Sequence, residues 1–300
     1  LRLWTLLFSP DAGPSAQFGS AWLVGGGMVT MAFGAVGMLG SQRLGHLAGF
    51  AAISSSGTLL AAVGMGHNQL TGGLLYYLLS STVAVSALFL LTDLIERWRN
   101  DGFSVAPYER KDDAPFLSAN LVHSASAPLD DDEQEVIGEV IPAAAAFLGL
   151  AFITCTLVLA GLPPLSGFIG KFALIHALLN PLGLGATGAP LAMSSWVMVG
   201  LMLVSGLFAL VALTRVGVLH FWSAHDRAAP KLLVMEGLPV ALLVLMCAAL
   251  AWKAGPVLRY TEATANALHA PAGYIRAVMS AQPVPNPTAA PAGSQQETRP

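Results

Sequence analysis

Long apolar runs separated by short polar breaks set the pattern of this chain. Taking about 20 apolar residues as one helical crossing of a bilayer, spans are predicted at 20–40, 44–66, 70–94, 195–219 and 233–252, with a longer apolar segment at 142–179. As one continuous helix that segment would extend roughly 57 Å at 1.5 Å per residue, against a hydrocarbon core of about 30 Å. In its middle stands GLPPLSGFIGKF, Gly161 to Phe172. Pro163 and Pro164 lack backbone donors, and Gly161, Gly167 and Gly170 weaken helix on either side, so the helix is expected to break there.

Positive charges decide whether the broken segment crosses once or twice. With one crossing, Arg43, Arg97, Arg99, Arg110, Lys111, Arg215, Arg227 and Lys231 share one face of the membrane, and Arg2, Lys253, Arg259, Arg276 and Arg299 the other. The richer face belongs to the cytoplasm, which puts both ends of the chain on the periplasmic or external side. Two crossings would move the 215–231 cluster across and spoil the asymmetry. The expected fold is therefore an all-α integral membrane bundle of about six transmembrane helices, one of them discontinuous at Gly161–Gly167. Irregular backbone at that depth requires protein or a water-filled cavity around it.

Around this transmembrane domain, residues 1–255, the sequence predicts three polar regions. Residues 95–138 carry ERWRNDG, ERKDD and an acidic run at 130–135, and read as a solvated cytoplasmic loop. Residues 256–280 are weakly amphipathic and suit the membrane interface, and 281–300 are Pro- and Ala-rich and are expected to be disordered. The opening LRLWTLLFS reads like the end of a helix, so the chain is expected to be the C-terminal part of something longer.

Composition narrows the function classes. The 300 residues are 55% hydrophobic and 10% charged, where soluble domains carry about 25% charged residues. A net charge of −3 argues against a nucleic-acid partner and against a basic membrane-surface patch. Cys155 and Cys247 fall in apolar runs and read as small buried hydrophobes. No P-loop, GxGxxG, HExxH or histidine pair spaced for haem or zinc is present, so neither cofactor nor metal is expected.

Lys171 is the candidate that needs an explanation. A lysine at mid-bilayer costs about 2.5–3.5 kcal/mol, and an intramembrane charge marks an ion or proton pathway by default. A desolvated amine can alternate between charged and neutral forms, as a proton relay requires. Snorkelling to an interface is the plainer alternative, but both flanks of Lys171 are apolar. His176 lies about 140° further round the helix, off the lysine's face, and is a weaker candidate reached through water. In span 70–94, Tyr77, Ser80 and Ser81 form a polar stripe. It suits either the wall of a hydrated path or interhelical hydrogen bonds of about 0.6 kcal/mol each, and both readings stand. Ser54, Ser55, Ser56 and Thr58 add hydroxyls to the second span. Gly25, Gly26, Gly27, Gly34 and Gly37 predict close helix packing in the first. Glu236 and Lys253 mark the two ends of the last span, and His46 and Asp93 read as hydrated helix ends, with a pathway entrance as the alternative.

GLPPLSGFIGKF resembles the broken-helix motif of proton-translocating antiporter-like subunits. With LLYYLLSSTVAVSALFLL, the chain most resembles the D subunit of Mrp-type (Pha/Mnh) multisubunit monovalent cation/proton antiporters, in the superfamily of the antiporter-like subunits of complex I. LRLWTLLF is similar to the end of the family's eighth helix, so the resemblance, up to about residue 255, implies the last six of fourteen helices. It implies a water-linked line of lysines and glutamates across the membrane mid-plane. Of that line, the lysine of the second broken helix carries over as Lys171, and the first repeat would lie upstream. Where complex I relatives place histidines or a lysine, this chain has Tyr77, Ser81 and Val85. The implied function is exchange of Na+ or another monovalent cation for protons in the bacterial inner membrane. Its implied partners are Na+, H+, lipid and the other antiporter subunits. Two alternatives remain: a proton-pumping membrane subunit of a redox complex (NADH-quinone oxidoreductase or membrane-bound hydrogenase type), and a scaffold in which Lys171 cements helices.

Overall fold

The computed structural model describes residues 1–8, 15–101, 143–181, 191–221, 234–270 and 272–281. The loop beyond residue 101, the turn at 182–190, Arg110, Lys111, Arg227, Lys231 and Arg299, and the segment from 282 lie outside the described residues. The described residues form ten helices and no strand: α1 (Arg2–Leu7), α2 (Ser20–Gly40), α3 (Leu44–Met65), α4 (Asn68–Asp101), α5 (Ala143–Ala160), α6 (Ser166–Leu179), α7 (Met193–Phe221), α8 (Val234–Trp252), α9 (Ala254–His269) and α10 (Ala272–Met279). Helices α2, α3, α4, α5, α7 and α8 each contain an apolar stretch long enough to cross a membrane, and α6 is a shorter apolar helix. The fold is an all-α membrane bundle, as the hydrophobic pattern anticipates.

Contacts along α4 show how the broken segment runs. The α5 end of it lies beside the end of α7 and the start of α8, since a Cβ at Gly149 would meet Phe221 and one at Gly237 would meet Phe147. The break sits at mid-height, where Ser80 Oγ donates to Ser166 Oγ at 2.8 Å. Helix α6 then proceeds toward the start of α4, where a Cβ at Gly73 would come 3.2 Å from Ala173. The two half-helices thus traverse the bundle once, from the end of α4 to its beginning. That agrees with the single interrupted crossing expected from the charges.

Helix α4 is the axis of the bundle, with α3, α5, α6, α8 and α9 packed around it. Tyr76 on α4 is wholly buried, and its hydroxyl donates to Leu250 O of α8 at 3.0 Å. Helices α2 and α3 approach most closely: a Cβ at Gly27 would strike the backbone of Ala61, one at Gly34 the backbone of Ser54, and one at Gly57 the backbone of Met31. Gly37 packs under the Phe50 ring. Gly25 and Gly26 depart from the expectation, because nothing lies within 4 Å of a Cβ at either. They sit on the outward face of α2 with exposed Trp22 and Val29, so helix packing within the described residues does not call for them.

Charged side chains secure the helix ends. Arg97 of α4 donates to Asp93 Oδ2 and Glu236 Oε1, both at 2.8 Å, joining the end of α4 to the start of α8. Arg215 of α7 donates to Leu39 O at 2.9 Å and Ser41 O at 2.7 Å, satisfying carbonyls at the end of α2. Arg2 does the same for α9 through Ala267 O and Leu268 O.

Helix α9, within the segment expected to lie at the interface, packs on the start of α4. Asn68 Nδ2 donates to Asn266 Oδ1 at 2.9 Å. Thr71 Oγ1 lies 3.2 Å from His67 O and is hydrogen-bonded to His269 Nε2 at 2.9 Å, with the direction set by the histidine tautomer.

Two outcomes follow from this packing. Gly57→Val puts side-chain atoms where the Met31 backbone stands and is expected to lower stability by at least about 2 kcal/mol, read as thermal unfolding in detergent, whereas Gly26→Ala does not lower it. Burial holds the pKa of His269 below the ordinary histidine value. A depressed folded-state value means that the contribution of His269 to docking is present above its unfolded pKa and is lost as pH falls through the folded one. Hydrogen exchange in 254–269 is therefore expected to rise at acid pH, and His269→Gln is expected to remove that rise.

Candidate functional site

The site is the break between α5 and α6, and it follows from the hydrogen-bond needs of a helix that ends inside an apolar bundle. The last four carbonyls of α5 have no helical partner. Gly161 turns the chain with φ +79, a left-handed conformation suited to glycine. In that turn Gly161 N donates to Leu157 O at 3.0 Å and Val158 O at 3.2 Å, and Leu162 N donates to Leu157 O at 3.0 Å. Pro163 and Pro164 have no N–H to give, so Leu159 and Ala160 still need donors. Lys171 provides them from the second turn of α6: its Nζ donates to Leu159 O at 2.9 Å and Ala160 O at 3.0 Å. An ammonium at a helix C-terminus also meets the negative end of the helix dipole.

Glycines make room for this arrangement. A Cβ on Gly161 would come 2.5 Å from Lys171 Cδ, and one on Gly167 would overlap Val158 O. Gly170 lets α6 approach α4, where a Cβ would come 3.2 Å from Tyr77 Cα. From α7, a Cβ on Gly206 would come 2.6 Å from Ala160 O and 3.2 Å from Lys171 Nζ. Gly161 and Gly206 thus leave the space that the lysine fills, while Gly167 and Gly170 let α6 close up on α5 and α4.

Beside Lys171 lies a small cavity of about 20 Å³, bordered by Ser54 and Ser55 of α3, Tyr77 of α4, Leu159 of α5 and Ser205 of α7. That volume suits about one water molecule. The cavity brings Tyr77 to Lys171. Ser80 and Ser81 do not border it: Ser80 is committed to Ser166, and Ser81 Oγ donates to Leu78 O at 3.3 Å in its own helix. His176 lies a turn beyond, its ring centroid 6.2 Å from that of Phe172, also away from the cavity. Ser205 and Gly206 are the site residues that sequence reasoning missed. The signal available was a Ser-Gly pair in an otherwise apolar span, which reads equally as helix packing.

No protein-family model matches the chain. It is 44% identical over 283 residues to the D subunit of a probable K(+)/H(+) antiporter of Rhizobium meliloti, covering 94% of this chain and 50% of the relative. It is 23% identical over 283 residues to the D subunit of a Na(+)/H(+) antiporter of Alkalihalophilus pseudofirmus, covering 93% of this chain and 48% of the relative. The chain therefore spans about half the length of these curated relatives. Among solved structures, the Mrp complex of Dietzia sp. DQ12-45-1b shares the fold with a TM-score of 0.61 at 17% identity, over 88% of this chain and 50% of that one. Respiratory complex I of Thermus thermophilus shares it with a TM-score of 0.61 at 18% identity, over 89% of this chain and 48% of that one.

The close approach at Gly206 yields a direct test of the packing. Gly206→Ala is expected to cost about 1–3 kcal/mol by driving a methyl group into Ala160 O and the lysine head, read as a lowered midpoint of thermal unfolding. Gly200→Ala, in the same helix with open space at its Cβ, is expected not to lower that midpoint.

Proposed function

We propose, for a chain that belongs with the D subunits of Mrp-type antiporters over the half of their length it matches, that it forms part of a multisubunit antiporter exchanging a monovalent cation for protons. The observation that carries this reading is Lys171, an amine held inside an interrupted apolar crossing by two helix-end carbonyls and bordering a hydroxyl-lined cavity. An amine in such a place can bind a proton, release it and keep its position, since carbonyl partners hold either form through N–H donors. The redox alternative rests on a shared fold and on NADH-quinone oxidoreductase N subunits 27% and 23% identical over about half of this chain, whereas the 44% identical relative, matched over 94% of it, is named for antiport.

The cation is proposed as Na+ on the family resemblance, and K+ stands beside it because the 44% identical relative is named for K+. The membrane is proposed to be the bacterial inner membrane, with the face that carries Arg43, Arg97 and Arg215 toward the cytoplasm. Partners are the remaining antiporter subunits and the lipid around the bundle. Helices α9 and α10 are proposed to lie near the external interface.

The test uses the complete complex in everted vesicles from a strain lacking its own antiporters. Lys171→Ala is expected to reduce both Na+/H+ and K+/H+ exchange at least about tenfold, while the complex still assembles on a native gel. Lys171→Glu, which can also titrate, is expected to retain more exchange than the alanine variant. Undiminished exchange in Lys171→Ala sinks the reading, and loss of assembly would make the lysine a structural cement instead. Exchange that runs only when a redox donor is supplied would favour the redox class.

A further inference from the structure

We propose that the cavity beside Lys171 holds the water molecule with which this lysine exchanges its proton, and that Ser54 and Ser205 position that water. The inference rests on the proton role proposed for Lys171. It adds the direction in which the proton leaves.

A protonated lysine has three N–H donors. Leu159 O and Ala160 O take two of them, at 2.9 Å and 3.0 Å, which leaves the third for the cavity that Lys171 borders. A neutral amine has two N–H groups and one lone pair. The same two carbonyls can hold it, with the lone pair toward the cavity. Lys171 can thus change protonation state without moving and without leaving either helix-end carbonyl unpaired.

The cavity has the volume and the partners a water needs. About 20 Å³ accommodates one water, which calls for two to four polar neighbours. Ser205 Oγ donates to Met202 O at 3.0 Å and Ser55 Oγ to Ala52 O at 3.0 Å, so both present lone pairs as acceptors. The Ser54 hydroxyl makes no hydrogen bond among the described residues, although Ser54 is only 6% exposed, and it is free to donate or accept. Among the described residues, Tyr77 is the one titratable side chain besides Lys171 on the cavity wall, and no charged side chain from α3, α4, α5 or α7 borders it.

In the transfer, the third N–H bond of the ammonium breaks and its proton forms a bond to the water oxygen. The water in turn passes one of its own protons to the next acceptor in the path and returns to neutral. The reverse sequence reloads the amine. The proton therefore moves between Lys171 and the gap bounded by α3 and α7. Ser80 and Ser81 of α4 do not border this cavity.

The test uses the assembled complex in the same vesicles, with maximal exchange rate and apparent KM for the cation measured separately. Ser54→Ala combined with Ser205→Ala removes two water partners and little volume. Ala209→Val fills the cavity from its α7 wall and leaves every hydroxyl in place. Each is expected to lower the maximal rate about tenfold with an unchanged KM, and to enlarge the rate difference between H2O and D2O. A role in folding alone would change the amount of assembled complex and leave the rate per complex as it was. If both variants assemble and exchange at the parental rate, the water site is wrong. If Lys171→Ala also exchanges at the parental rate, the proton role of Lys171 falls with it; if Lys171→Ala is inactive while these variants are normal, only the water site falls.

Discussion

Two carbonyl groups that a helix leaves behind in the middle of an apolar bundle govern this structure. Leu159 O and Ala160 O end α5 at a depth where water is scarce and an unpaired backbone group costs several kcal/mol. The prolines that stop the helix cannot serve as donors. The lysine that does serve is itself expensive to bury, and the pairing offsets both costs together. The broken helix and the half-buried lysine each lessen the other's cost. The glycines at 161, 167 and 206 and the approach of α7 all follow from fitting one side chain between two helix ends.

The same chemistry recurs at the periphery with arginine in place of lysine. Arg215 ends α2, and Arg2 ends α9, each by donating to terminal carbonyls. A guanidinium remains charged, so those two contacts are fixed. An amine can give up its proton, and Lys171 is the one of the three that sits inside the bundle. The proton role proposed for Lys171 draws on that difference of residue type and depth.

Much of the fold was legible in the sequence because each crossing is a long apolar run and because Pro163, Pro164 and Gly161 mark the interruption without ambiguity. Charge parity across the breaks led to one crossing, and the contacts of α5 and α6 with α4 show one. Periodicity was less useful for assigning partners. Gly25, Gly26 and Gly27 are indistinguishable in sequence, yet Gly27 alone of the three meets another backbone. Likewise Tyr77, Ser80 and Ser81 share a stripe of α4, but which of them reaches Lys171 depends on where α6 and α3 stand against that helix. Ser205 and Gly206 read in sequence as ordinary helix packing, because the lysine they approach is thirty or more residues away in the chain.

Lys171 is anchored to the end of α5, and a distance measurement probes that contact. With 15N at the Lys171 amine and 13C at the Ala160 carbonyl, solid-state magnetic resonance on the complex in lipid reads the separation of the two atoms. The hydrogen bond at 3.0 Å plus the carbonyl bond places them about 4 Å apart. A separation of about 4 Å at both acid and alkaline pH is the expected result. A separation beyond about 6 Å, as for a lysine reaching toward the membrane surface, would contradict the account.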